Sequence, residues 1–262
     1  ALAPVVMVGV AAAAGWRGAL VAAAVLIAIA GLGLLRPAGV FGGGRVIEAS
    51  PSPGSARPAA FAFLTPALRA CMVFFVTINI AMIGLQSFGT ALLQSAWGYG
   101  AASAAAWLTA FIVAAAAGML CGGFVASATR RHEHVAAAGT LTAAMLVALL
   151  AAGAVPSQAA GVLTCAAGFA IGLVAPSRDM LVRAATPPGA TGRAFGIVYA
   201  GVDVGAALGP VLLGAWLDRG APSAAYATVA LALVATAAVG LVIGRLSRTP
   251  TPLESLSQEP PR

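Results

Sequence analysis

Gly201-Val202-Asp203-Val204-Gly205-Ala206-Ala207-Leu208-Gly209-Pro210-Val211-Leu212-Leu213-Gly214-Ala215-Trp216-Leu217-Asp218 is an apolar run with one acid inside it and one at its end. Gly201, Gly205 and Gly209 recur every four residues, which on a helix makes a smooth stripe for close packing against another helix. Asp203 is two residues from Gly201, about 200° round at 3.6 residues per turn, so it points away from that stripe. In a span starting at residue 194 it lies about 14 Å from the nearer end by helical rise, close to the middle of a membrane. An ionisable side chain there costs about 2.5–3.5 kcal/mol on insertion scales and marks a functional position by default. Tyr199 is one turn earlier on the same face, within reach of a hydrogen bond to Asp203. Two readings of Asp203 stand side by side: a carboxyl that gains and loses a proton during transport, or a fixed hydrogen-bonding acid.

Outward from this run, the whole chain has the same character. Of 262 residues, 61% are hydrophobic and 8% charged. A soluble domain has about 45–50% apolar and about 25% charged residues, so the composition excludes one. It fits an all-α integral membrane protein with many spans. Seven full spans are expected at about 18–35, 69–92, 103–126, 135–153, 158–177, 194–216 and 224–244, with a partial one over 1–14. Fourteen residues reach only about 21 Å, short of the roughly 30 Å of hydrocarbon, so the first is expected to be an incomplete helix.

All 14 basic residues are Arg. With the C-terminus in the cytoplasm, alternating loops put 12 of them inside and only Arg17 and Arg219 outside. This positive-inside bias predicts a multi-pass protein of the bacterial inner membrane with a cytoplasmic C-terminus. The basic balance therefore reports topology, and no nucleic-acid partner is expected. Residues 36–68 contain Gly42-Gly43-Gly44 and Ser50-Pro51-Ser52-Pro53-Gly54-Ser55 and read as a cytoplasmic linker between membrane halves. Residues 247–262 read as a disordered tail. Ala1-Leu2-Ala3-Pro4-Val5 matches Ala207-Leu208-Gly209-Pro210-Val211, and each is followed by a short turn and a helix ending in Arg. If residues 1–35 copy the last helix pair, four helices would precede them, making twelve spans in two halves: residues 1–35 would close the first half and 69–246 form the second. Pro4, Pro210 and Gly214 would soften the two matching helices.

The Pro4-containing segment with Gly15-Trp16-Arg17, the long linker and the 201–218 run together resemble the major facilitator superfamily, over nearly the whole chain. The resemblance implies the C-terminal part of a twelve-helix fold, a secondary transporter working by alternating access, and a monomer at full length. The stretch from Pro176-Ser177-Arg178-Asp179-Met180 to Gly192-Arg193-Ala194-Phe195-Gly196 is similar to bacterial drug-resistance exporters. Resemblance also implies a cytoplasmic gate among Arg130, Arg131, Arg178, Asp179 and Arg183; the plain reading of Asp179 and Arg183 is an i,i+4 ion pair. One departure is Ser127, which stands where the family's loop signature has Asp, so an Asp-based latch there is in doubt.

Asn79 and Gln86 lie seven apart on one helix face, with Met82 and Thr90 roughly alongside. Two amides among apolar neighbours suit the wall of a cavity for an amphiphilic substrate, or else hydrogen bonds between helices. His132-Glu133-His134 reads as a solvated loop, since catalytic zinc wants three protein ligands. Cys71, Cys121 and Cys165 share no metal or redox spacing. Trp16, Trp97, Trp107 and Trp216 read as interfacial anchors. No P-loop is present and no cofactor is expected. No span carries a nucleophile with a base, so an enzyme is not expected. The partners expected are a small-molecule substrate, protons and the lipid bilayer. Mostly apolar cavity candidates favour proton-coupled efflux of a drug-like or amphiphilic compound over uptake of a metabolite, or over a non-transporting receptor or assembly protein.

Overall fold

The computed structural model describes residues 17–18, 21–22, 24–26, 28–29, 65–186 and 191–246. The chain divides into two compact units, Ala1–Ala59 and Ala60–Arg262. In the first, the described residues are helical, and Val21, Val25, Leu26 and Ile29 are exposed. Pro4, the 1–14 segment, the expected repeat of residues 1–35, most of the linker and the 247–262 tail lie outside the described residues.

Among its described residues, the second unit contains six helices: α1 (Pro66–Trp97), α2 (Ala101–Ala128), α3 (His132–Ala151), α4 (Ser157–Ala185), α5 (Thr191–Asp218) and α6 (Pro222–Leu246). Each is long and apolar enough to cross a membrane. They correspond one for one to the six spans expected after the linker, mostly with longer ends. α1 begins three residues before the expected Arg69, because Thr65 caps it: its hydroxyl accepts from Leu68 N at 3.2 Å, and Pro66 occupies the first turn. Gly98, at φ +68°, ends α1 in the left-handed conformation that favours glycine. α4 runs eight residues past the expected Ser177, because Pro176 removes one hydrogen bond without stopping the helix. His132-Glu133-His134 is not a solvated loop: it is the first turn of α3, with Glu133 buried. An acid is favoured there by the partial positive charge of the helix N-terminus.

The main packing partners are α1 with α5, α2 with α4, α3 with α6, α1 with α6, and α3 with α4. Exchanging α1 with α4, α2 with α5 and α3 with α6 maps this set onto itself. Successive helices joined by short turns run antiparallel, so the exchanged helices point in opposite directions. The unit is therefore an inverted repeat of three helices, an architecture found in secondary transporters.

Close packing sets the two seams of this repeat. A Cβ added at Gly201, Gly205 or Gly209 would lie 2.7, 2.5 or 2.7 Å from the carbonyl oxygens of Met72, Val76 and Ile80, so α5 meets α1 backbone to backbone. Gly118 and Gly122 of α2 meet the α4 backbone at Phe169 and Leu173, while Gly172 of α4 meets Ala115, closer still. Between helices in lipid, such van der Waals contact takes the place of the hydrophobic drive. At the end opposite most arginines, Trp97 Nε1 donates to Val155 O at 3.3 Å, and the Tyr99 hydroxyl binds Ser157 O and accepts from Gly161 N. Trp97 thus braces two connections, and Trp107 lies over Gly161.

Candidate functional site

Alternation of the helices gathers Arg69, Arg130, Arg131, Arg178, Arg183 and Arg245 at one end, while Arg219 stands at the other. At this Arg-rich end, α1, α4 and α5 bring together a linked cluster. The Arg178 guanidinium lies 4.5 Å over the ring of Phe75, which is fully buried. Its Nε is 3.1 Å from Asp179 Oδ1. The Phe75 ring is 5.3 Å from that of Tyr199, which is 5.9 Å from that of Phe195. The Arg178 side chain is 19% exposed, so its contact with Phe75 is partly desolvated, where such pairs are worth about 1–2 kcal/mol.

Two expected pairings are not made. Asp179 pairs with Arg178, not with Arg183, whose side chain is exposed. Arg178 is already held by Phe75, so binding Asp179 freezes little more; Arg183 would give up both hydration and rotamer freedom. Tyr199 makes no hydrogen bond to Asp203 among the described residues, because its ring is committed to Phe75 and Phe195.

Asp203 lies on the exposed side of α5, with Tyr199 and Val204, opposite the buried Gly201, Gly205 and Gly209. It is near the middle of a 28-residue helix and has no ion-pair or hydrogen-bond partner among the described residues. Pro210, inside the same helix, is half-buried, and Gly214 faces the Phe88 ring.

The remaining candidates separate. Asn79 sits in the α1–α5 seam: it is 8% exposed, its Nδ2 donates to Phe75 O at 2.8 Å, and its Cβ packs against Gly205. Gln86, Met82 and Thr90 are half-buried along α1; Met82 packs on the core, and Thr90 O accepts from Gln94 Nε2 at 3.2 Å. Arg130 and Arg131 are exposed at the α2–α3 turn. Ser127 is satisfied locally, its hydroxyl donating to Phe124 O at 2.8 Å.

Phe75 and Phe195 were not singled out in the sequence, where they look like ordinary span residues. Their signal is spacing: Phe195 is four residues before Tyr199, and Phe75 four before Asn79.

The sequence model described as Major Facilitator Superfamily matches residues 71–261. No curated protein and no solved structure matches the chain.

Proposed function

The chain belongs to the major facilitator superfamily, a family of secondary transporters rather than enzymes, and from that premise we propose that it exports a drug-like or amphiphilic compound in exchange for protons. The observation that carries this reading is Asp203: a carboxyl in the middle of a span, facing away from the packed seam.

Ionised, Asp203 requires water or a cationic group beside it. Protonated, it tolerates an apolar surrounding far better. Each proton taken up from outside and released inside would therefore switch α5 between a state that favours an open polar route and one that favours a closed one. The excess of arginine at one end favours that end, with the C-terminus, on the cytoplasmic side of the inner membrane. There the Arg178–Phe75 contact joins α4 to α1 and serves as a gate that separates when the inner side opens. The exposed residues of α5, Tyr199 and Val204 beside Asp203, give an amphiphilic compound apolar contact with a single acid nearby.

The test is pH-gradient-driven accumulation of an amphiphilic dye inside inverted vesicles containing the full protein. Asp203→Asn removes the titrating group and keeps the shape. It is expected to abolish accumulation driven by a pH gradient while leaving dye binding in place. Full gradient-driven accumulation in Asp203→Asn would overturn the coupling role.

A further inference from the structure

At the Arg-rich end, between the start of α3 and the end of α6, lies a cleft of about 240 Å3 lined by Glu133, His134, Leu241, Gly244 and Arg245. That is room for a polar group well beyond a single water in size. Its lining is charged in both senses. The Glu133 side chain is only 9% exposed, and its Oε1 is 3.2 Å from Nδ1 of His134, which is 58% exposed. Arg245 stands exposed in the last turn of α6. Gly244 makes the space: a Cβ there would lie 2.5 Å from Glu133 Cγ. One turn further along α6, Leu241 and Val242 are exposed and apolar.

Because α3 and α6 both span the membrane, a cleft at their ends stands at the level of the lipid headgroups. Basic pockets between transmembrane helices at this level bind phospholipid headgroups through the phosphate; here Arg245 supplies the basic group and Glu133 adds an acid beside it. We propose that the cleft binds the headgroup of an ethanolamine phospholipid. The primary ammonium donates to the buried Glu133 carboxylate, the phosphate accepts from Arg245 and His134, and an acyl chain lies along Leu241 and Val242. The opposite charges select the headgroup. Choline has no N–H to donate to Glu133, and glycerol offers no positive charge to it. The site is separate from the α1–α4–α5 cluster and does not depend on the transport reading.

The test is the thermal-unfolding midpoint of the full chain in detergent, titrated with phosphatidylethanolamine, phosphatidylglycerol and phosphatidylcholine of one chain length. Phosphatidylethanolamine is expected to raise the midpoint at about tenfold lower concentration than either other lipid. Glu133→Gln is expected to erase the preference over phosphatidylcholine. Arg245→Gln, at an exposed position that leaves the core untouched, is expected to weaken the phosphatidylethanolamine response about tenfold. Equal responses of the wild type to all three lipids, an ethanolamine preference over phosphatidylcholine that survives Glu133→Gln, or an undiminished phosphatidylethanolamine response in Arg245→Gln, would overturn the proposal. Free phosphoethanolamine acting at the same concentration as the lipid would also overturn it, assigning the cleft to a soluble zwitterion.

Discussion

Asp203 and Arg178 show what single residues disclose and conceal. The direction of Asp203 follows from arithmetic: two residues off a four-residue glycine repeat is the opposite side of a helix, and the structure leaves it exposed there. Its relation to Tyr199 did not follow, because side chains one turn apart can pair only if neither has a better partner, and Tyr199 has Phe75 and Phe195. Arg178 was legible as a charge at a span end. That it reaches back over Phe75 depends on where α1 lies, which no local pattern carries. The consequence is specific. Arg178→Gln should lose a contact worth about 1–2 kcal/mol and change the transport rate about tenfold. Arg183→Gln, solvated and unneeded by Asp179, should leave the rate within about twofold on the same scale. Initial rates of dye efflux at matched expression decide between them.

Helices were the most legible level. Six apolar runs gave six helices, since a span must satisfy its own backbone and cannot be short. The ends were read less well. Thr65-Pro66 extends α1 by a capping signal in a stretch that looked like linker, and α3 starts on a polar trio whose middle residue, Glu133, is buried against Gly244. Of the two seams, one was read from Gly201, Gly205 and Gly209. The other was equally readable in Gly118, Gly122, Gly168 and Gly172, but only the fold shows which helix faces which. Neighbouring glycines of α2 separate packing from propensity. Gly122→Ala drives a Cβ into the backbone at Leu173 and should cost about 1–3 kcal/mol. Gly123→Ala meets nothing within 4 Å and should be neutral or up to about 1 kcal/mol stabilising, since Ala is the better helix former. Thermal unfolding in detergent is the measurement, with the two variants expected to move in opposite directions or one not at all.

At the scale of the molecule, the inverted repeat of α1–α3 and α4–α6 explains why four helices, α1, α2, α4 and α5, are joined by glycine seams, while α3 and α6 pack on each other. Two seams related by the repeat give each joined helix pair a tight, smooth contact along which relative movement costs little side-chain rearrangement. The asymmetry of arginine between the two ends predicts the orientation. In a variant without Cys71, Cys121 and Cys165, a membrane-impermeant maleimide added outside intact cells should label Arg219→Cys and spare Arg130→Cys; the opposite pattern would reverse the topology. The central claim, that a carboxyl in the middle of a span couples outward movement of an amphiphile to inward movement of protons, is tested most directly in proteoliposomes of the full protein with a pH-sensitive dye inside. With no pH gradient imposed, an amphiphilic substrate gradient should drive protons in the opposite direction, and the signal should vanish in Asp203→Asn. Substrate movement without any proton movement in the wild type would contradict the account.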